Sequence, residues 1–214
     1  TMENISKHYQ RLLNLEHINN NSIILDIGAN IGDVTDVIMK NYNPNIYCYE
    51  PNISCYNYML KRFKKNSKIK IFNVAVSNFS GKTFLYFHNK STNISEFNER
   101  SSLKKEKDGL DKNKRIEVNC INIKEILEKH NQIDLIKIDI EGSEYEVMPE
   151  IIKNKNKIKM VLCETHGNPH GKKIPSVDGS KLVVKNKIWI KDYTKLISEL
   201  KELNLYENWF YEWY

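Results

Sequence analysis

The residues of this chain that could do chemistry recur in one kind of place, just after short apolar runs. Gly28 follows the run 23–27, Glu50 follows 46–49, Ser77 follows 74–76, Asp139 follows 133–138, and Glu164 and His166 follow 158–163. Short runs rich in β-branched and aromatic residues, bounded by glycine or polar clusters, read as buried strands. Ligands of open parallel sheets bind beyond the carboxyl ends of the strands, near the point where strand order reverses. These six positions therefore converge on one expected cleft.

The stretch 23–35 organises the chain. An apolar run breaks at Gly28, and Val34, Val37, Ile38 and Met39 then follow at helical spacing, so a parallel strand, a tight turn and a helix N-terminus are expected. Glycine at the turn removes the Cβ that would hold a ligand off the backbone, and the helix start offers unpaired N–H groups. Glu50, some twenty residues on, ends the next strand, where a carboxylate accepts hydrogen bonds from a ribose diol. Gly28-Ala29-Asn30-Ile31-Gly32 lacks the third glycine of the dinucleotide pattern, and Asp26 would repel a phosphate. S-adenosylmethionine (SAM) has a sulfonium, an ammonium and a ribose but no phosphate, and it suits the site better.

A second constellation is Lys137-Ile138-Asp139-Ile140-Glu141-Gly142-Ser143-Glu144. Lys137 and Asp139 alternate in phase on a strand, Gly142 permits a tight turn, and Glu144 falls in the first turn of a helix, where negative charge is favoured. A plainer reading makes Asp139 and Glu141 solvated caps and Lys137 a structural ion-pair partner.

The elements that must position these groups follow from periodicity. A leading amphipathic helix is expected within 1–21, a crossover helix ending near Asn43-Pro44, a strand over 45–50, and a helix from Pro51-Asn52 to about Lys65 with Tyr56, Met59, Leu60 and Phe63 inward. A third strand spans 69–76. Residues 77–121 read as a β-excursion holding strands at 83–87 and 116–120, with 89–114 expected as a long polar loop. A short helix at 122–130, the central strand 133–139, a helix after Gly142, and a fifth strand at 158–163 come next. A substrate-side loop over 165–190 carries histidines, prolines and glycines and ends in a strand at 183–190. A helix over 191–203 and an aromatic strand or strand pair over 205–214 close the chain.

The totals fit a single α/β domain over 1–214 with a full core. The net charge of +6 permits an acidic partner without demanding one. Cys48, Cys55, Cys120 and Cys163 have no metal or redox spacing, so free thiols are expected. No apolar run is long enough to span a bilayer and the start has no signal-peptide pattern, so a soluble, cytoplasmic protein with no membrane partner is expected.

The blocks Leu25–Gly32, Tyr49-Glu50-Pro51, Asn73–Ser77 and Ile133–Glu144 resemble the FkbM family of SAM-dependent methyltransferases, a resemblance covering about residues 22–165. It implies a Rossmann-like seven-stranded sheet with helices on both faces and methyl transfer to hydroxyl oxygens of sugars or related small molecules. By that likeness Asp26, Gly28 and Asn30 would surround the methionine part of SAM. Glu50 would hold the ribose with Pro51 and Asn52 beside it, Val76 and Ser77 would approach the adenine, and Asp139 would sit near the methyl donor. Ser101-Ser102-Leu103 resembles a serine-containing segment near the family's active site. The basic 167–187 segment and the aromatic end depart from the pattern.

Methyl transfer to a hydroxyl needs an aligned acceptor and a group to take its proton. The candidates are His166 as base, or a divalent metal held by Asp139, Glu164 and His166. The preferred acceptor is a sugar, glycoconjugate or other small hydroxylated metabolite. The alternatives are an RNA ribose 2′-hydroxyl, encouraged by Lys172, Lys173, Lys181 and Lys185, and a non-catalytic SAM- or nucleotide-binding module. A dehydrogenase is a more distant reading.

Overall fold

The computed structural model describes residues 15–89, 101–107, 109–166 and 187–212, with only the backbone at 187–190. In chain order its elements are β1 (Ile23–Ile27), α1 (Asp33–Tyr42), β2 (Asn45–Tyr49), α2 (Ile53–Arg62), β3 (Ile69–Phe72), β4 (Ala75–Ser77), β5 (Gly81–His88) and β6 (Leu110–Asn122). There follow α3 (Ile123–Leu127), β7 (Leu135–Ile138), α4 (Glu144–Lys153), β8 (Val161–Cys163), α5 (Lys187–Glu202) and β9 (Phe210–Glu212).

Six strands form a parallel sheet in the order β3-β2-β1-β7-β8-β9. The chain steps outward from β1 to β3, returns to the middle, then steps outward the other way from β7 to β9. The order therefore reverses between β1 and β7, which places the expected crevice at their carboxyl ends. Both central strands are buried on both faces, and each carries one charged residue, Asp26 and Lys137, within an otherwise apolar run. Leu25, Ile27, Ile136 and Ile138 pack with α3, α4 and α5. Ile24 and Leu135 face the opposite layer with Val34, Ile38 and Met59 of α1 and α2.

Local chemistry sets the helix ends. Asn43 takes the left-handed conformation at the end of α1, returns its N–H to Met39 O and precedes Pro44, which cannot continue the helix. Asn52 caps α2 by accepting the Ser54 N–H at 2.9 Å. Among the described residues no helix is long and apolar enough to cross a membrane. All four cysteines are buried free thiols.

Several boundaries differ from the sequence reading. The strand expected over 69–76 is two strands in two sheets. Asn73 Nδ2 donates to the carbonyls of Glu50 and Pro51 at 2.9 and 3.0 Å, and the chain turns away from β2 there. β4 then joins β6 in parallel, and β5 pairs with β6 antiparallel, giving a three-stranded sheet around Leu85, Phe87, Val118 and Cys120. β6 starts at Leu110, inside the stretch expected as loop. Residues 187–190 are helical rather than strand, because α5 begins at Lys187. The main sheet has six strands among the described residues, not seven. Leu60 is 43% exposed, and Cys55 takes the inward position beside Met59. The leading helix expected within 1–21 lies largely outside the described residues, as do 90–100 and 167–186 of the two long loops.

One buried ion pair spans the centre of the sheet. Asp26 and Lys137 are register partners on β1 and β7. Asp26 is wholly buried, with Oδ2 accepting Thr35 Oγ1 at 2.7 Å, and Lys137 Nζ lies 3.4 Å from Oδ1. Removing one partner leaves the other charged and desolvated. Lys137→Met should therefore cost about 3–5 kcal/mol of unfolding free energy in denaturant titrations, and adding Asp26→Asn to it should restore part of that loss.

Candidate active site

Backbone hydrogen bonds draw the ends of the central strands together. Gly28 and Ala29 both donate to Tyr49 O, at 3.0 and 3.2 Å, and the Asp139 N–H donates to Ile27 O at 3.0 Å. Glycine is required at 28 for packing. Its φ is +78°, and a Cβ there would lie 1.8 Å from Asp139 O, so any side chain would force β1 and β7 apart. Gly32 serves a similar end, since a Cβ there would meet the Phe63 ring at 2.5 Å and hold α1 away from α2.

The junction opens into a cleft of about 580 Å³ that is continuous with solvent. Gly28, Asn30, Glu50 and Pro51 line one side, Val76 and Ser102 the next, and Asp139 with Glu141 the far end. Glu50 is 6% exposed. Its Oε2 accepts the Asn30 N–H at 2.8 Å and its Oε1 accepts the Asn52 N–H at 2.7 Å, so backbone donors fix the carboxylate at the rim of the cleft. Burial pushes its pKa up to about 7, against the two N–H donors and the Lys137 charge.

Lys137 sits beneath the cleft floor. Its Nζ donates to Gly28 O at 2.8 Å and lies 3.9 Å from Asp139 Oδ2. Burial opposes its charge, but Asp26 and Asp139 outweigh that and raise its pKa. Asp26 does not line the cleft; its place is below the turn, against Thr35 and Lys137. Asn52 is spent on capping α2 and holding Glu50. Ser77 points away from the cleft and donates to Glu146 Oε2 at 2.9 Å. Of the nine residues expected at the cofactor, Gly28, Asn30, Glu50, Pro51, Val76 and Asp139 line the cleft.

The carboxyl end of β8 carries a charged cluster. His166 Nδ1 lies 2.9 Å from Glu144 Oε1, and Nε2 lies 3.0 Å from Glu141 Oε2 and 4.0 Å from Glu164 Oε1. Tyr145 OH donates to the His166 carbonyl. Glu144 is wholly buried and accepts N–H bonds from Gly142 at 2.9 Å and Ile140 at 3.1 Å. Burial works against both charges of the pair. Mutual attraction prevails, holding the Glu144 carboxyl below its usual range and the His166 ring above its own. The position after β8 read from the sequence thus places the His166 ring between the carboxylates of Glu144 and Glu141. Glu164 is raised, first by burial and then by the charge of Asp139.

The metal set expected from sequence also changes. Asp139, Glu141 and His166 each bring one ligand atom within 4.8 Å of the others, so Glu141 takes the place assigned to Glu164. Sequence reasoning does not single out Glu141 as a site residue. Its one signal there is its position before Gly142, where a reversal of the chain lifts it to φ +55°. Ser101, Ser102 and Leu103 line the cleft, and the four lysines that encouraged an RNA reading lie outside the described residues.

A parallel sheet with a crossover at its centre, a glycine turn and a strand-end acid in the cleft define a nucleotide-cofactor-binding α/β protein. The family is narrower. The model of the FkbM methyltransferase domain matches residues 26–204, and the chain belongs to that family of SAM-dependent methyltransferases. Among solved structures it is similar to precorrin-6y C5,15-methyltransferase from Geobacter metallireducens GS-15, at 12% identity and a TM-score of 0.43, covering 90% of this chain and 67% of that one. It is also similar to the N-terminal domain of human METTL16 in complex with SAH, at 16% identity and a TM-score of 0.40, covering 91% of this chain and 57% of that one. No curated protein matches the chain.

Glu50 makes the stability of the free protein depend on pH. Its folded pKa is raised from 4.5 to about 7, so its contribution is fully present below pH 4.5 and is lost as pH rises to about 7. A displacement of that size corresponds to about 3 kcal/mol. Glu50→Gln should flatten this part of the profile of unfolding free energy against pH, whatever its effect on absolute stability.

Proposed function

We propose that this protein transfers a methyl group from SAM to a hydroxyl oxygen of a sugar, glycoconjugate or other small metabolite. The observation that carries the cofactor half is Glu50, a buried carboxylate fixed by two backbone N–H groups beside the Gly28 turn. Asp33 and Asp36 occupy the first turn of α1 and pair with Arg62 at 2.5 and 3.0 Å, so that helix end is already supplied with negative charge. A cofactor without phosphate is the better fit. SAM, when bound, supplies a methyl group on a positively charged sulfur. Glu50 would hold the ribose hydroxyls, Gly28 and Asn30 would border the methionine portion, and Val76 would face the base.

Asp139 and Glu141 line the far end of the cleft, where the acceptor would lie. Carboxylates there accept hydrogen bonds from hydroxyl donors, which suits a small polyol. Asp139 lines the cleft and receives the hydroxyl proton as the oxygen takes the methyl group. His166 is held between Glu144 and Glu141, with a carboxylate facing each ring nitrogen. Asp139, Glu141 and His166 are the residues that would hold a divalent metal, were one required, and it would lower the pKa of the acceptor hydroxyl.

S-adenosylhomocysteine should raise the melting temperature, with about 2.7 kcal/mol of stabilisation at a hundredfold excess over its dissociation constant, and NAD should leave it unchanged. Glu50→Ala should weaken that binding by roughly tenfold or more, as loss of a charge-assisted bond predicts. Asp139→Asn should lower methyl transfer to a hydroxylated sugar pool by about a hundredfold with S-adenosylhomocysteine affinity retained. Transfer should persist in chelator. Methylation of an RNA pool but not of sugars would overturn the acceptor class, and binding without transfer to either would favour the non-catalytic module.

A further inference from the structure

The cleft wall formed by Ser101, Ser102 and Leu103 is weakly attached through its backbone. Ser102 and Tyr86 exchange N–H···O bonds of 2.9 and 3.0 Å, a single bridge at the bulged edge of β5. The stronger attachments are ionic and polar, and they run to the turn after β7. Ser102 Oγ donates to the Glu141 carbonyl at 2.6 Å. Lys104 pairs with Glu146, and Lys107 pairs with Glu141. Glu141 Oε2 also faces His166 Nε2 at 3.0 Å.

Glu141 thus joins three separate pieces of chain through both its main chain and its carboxylate: the wall 101–107, the end of β7 and the end of β8. The side chains of Lys107, Glu141 and His166 are 11%, 17% and 17% exposed, so their attraction is screened less than that of surface pairs. The backbone is arranged to deliver this contact. Glu141 has φ +55°, a conformation that side-chain-bearing residues rarely adopt, and Gly142 follows at +108°. A non-glycine residue held in the left-handed region, with its carboxylate engaged on two sides, is consistent with a role for the side chain.

We propose that Glu141 is the positioning residue of the acceptor wall: by gripping Lys107 and His166 together it holds 101–107 against the ends of β7 and β8. This rests on the reading that the acceptor lies on that side of the cleft. Glu141 acts through these two partners, and the residues that meet the reacting atoms remain those assigned above.

Hydrogen exchange on the whole chain tests it. Glu141→Gln, which keeps the size of the side chain but not its charge, should accelerate exchange of the 102–107 amides at least tenfold while β1 and β7 stay within twofold of the parent. Lys107→Met should reproduce that pattern, the double variant should be no faster than either single one, and Lys107→Arg, which restores the cation, should behave as the parent. A merely structural Glu141 would loosen β7 to the same extent as the wall, which would overturn the proposal. So would exchange at 102–107 within twofold of the parent in Glu141→Gln. The comparison needs no ligand, so it is decided separately from S-adenosylhomocysteine binding, the test of the underlying reading.

Discussion

A single buried ammonium sets the terms for the middle of this protein. Lys137 Nζ reaches under the glycine turn to Gly28 O, Asp26 and Asp139, tying β1 to β7 at the point where the strand order reverses. Its field also draws Glu50 and Glu164 toward the ionised state. Four carboxylates thus share one cation. Removing it would leave Asp26 buried with no cation beside it. The separation of these carboxylates is what divides the cleft into an end built around Glu50 and an end built around Asp139.

The second sheet completes the enclosure. The chain leaves the main sheet at Asn73, passes Val76 along the cleft, and comes back through the antiparallel pair β5 and β6 before entering the central strand β7. Ser77 and Lys104, from distant parts of this excursion, meet on Glu146 of α4. The wall of the cleft is therefore anchored to the helix that follows β7, and its position depends on side chains more than on continuous pairing.

Much of this was legible because strand ends in a parallel sheet are marked by abrupt changes in residue type. The positions of Gly28, Glu50 and Asp139 follow from that rule, and the structure brings them into one cleft. What escaped depended on contacts between residues far apart in sequence. Alternation through 69–76 reads as one strand, because nothing local reports that the Asn73 amide binds two carbonyls of the preceding loop. Asp26 has the pattern of a ligand-facing acid, but its partner is over a hundred residues away. The glycines are there for strand and helix approach, which requires knowing that Asp139 O and the Phe63 ring lie opposite them. The raised pKa of His166 likewise depends on Glu144, which local spacing assigns to a helix dipole.

The four cysteines have a consequence of a different kind. Each is buried, and burial raises the thiols of Cys48, Cys120 and Cys163, that of Cys120 to about 11, so the reactive thiolate is suppressed while the chain stays folded. The Cys120 and Cys163 thiols owe this first to desolvation and then to neighbouring carboxylates, Glu146 and Glu144 respectively. The four are distributed over both sheets and α2, so each sits in a different part of the fold. The protein therefore carries its own clock of local opening: the rate at which each thiol reacts with an alkylating reagent measures how often its surroundings come apart, region by region, with no label introduced.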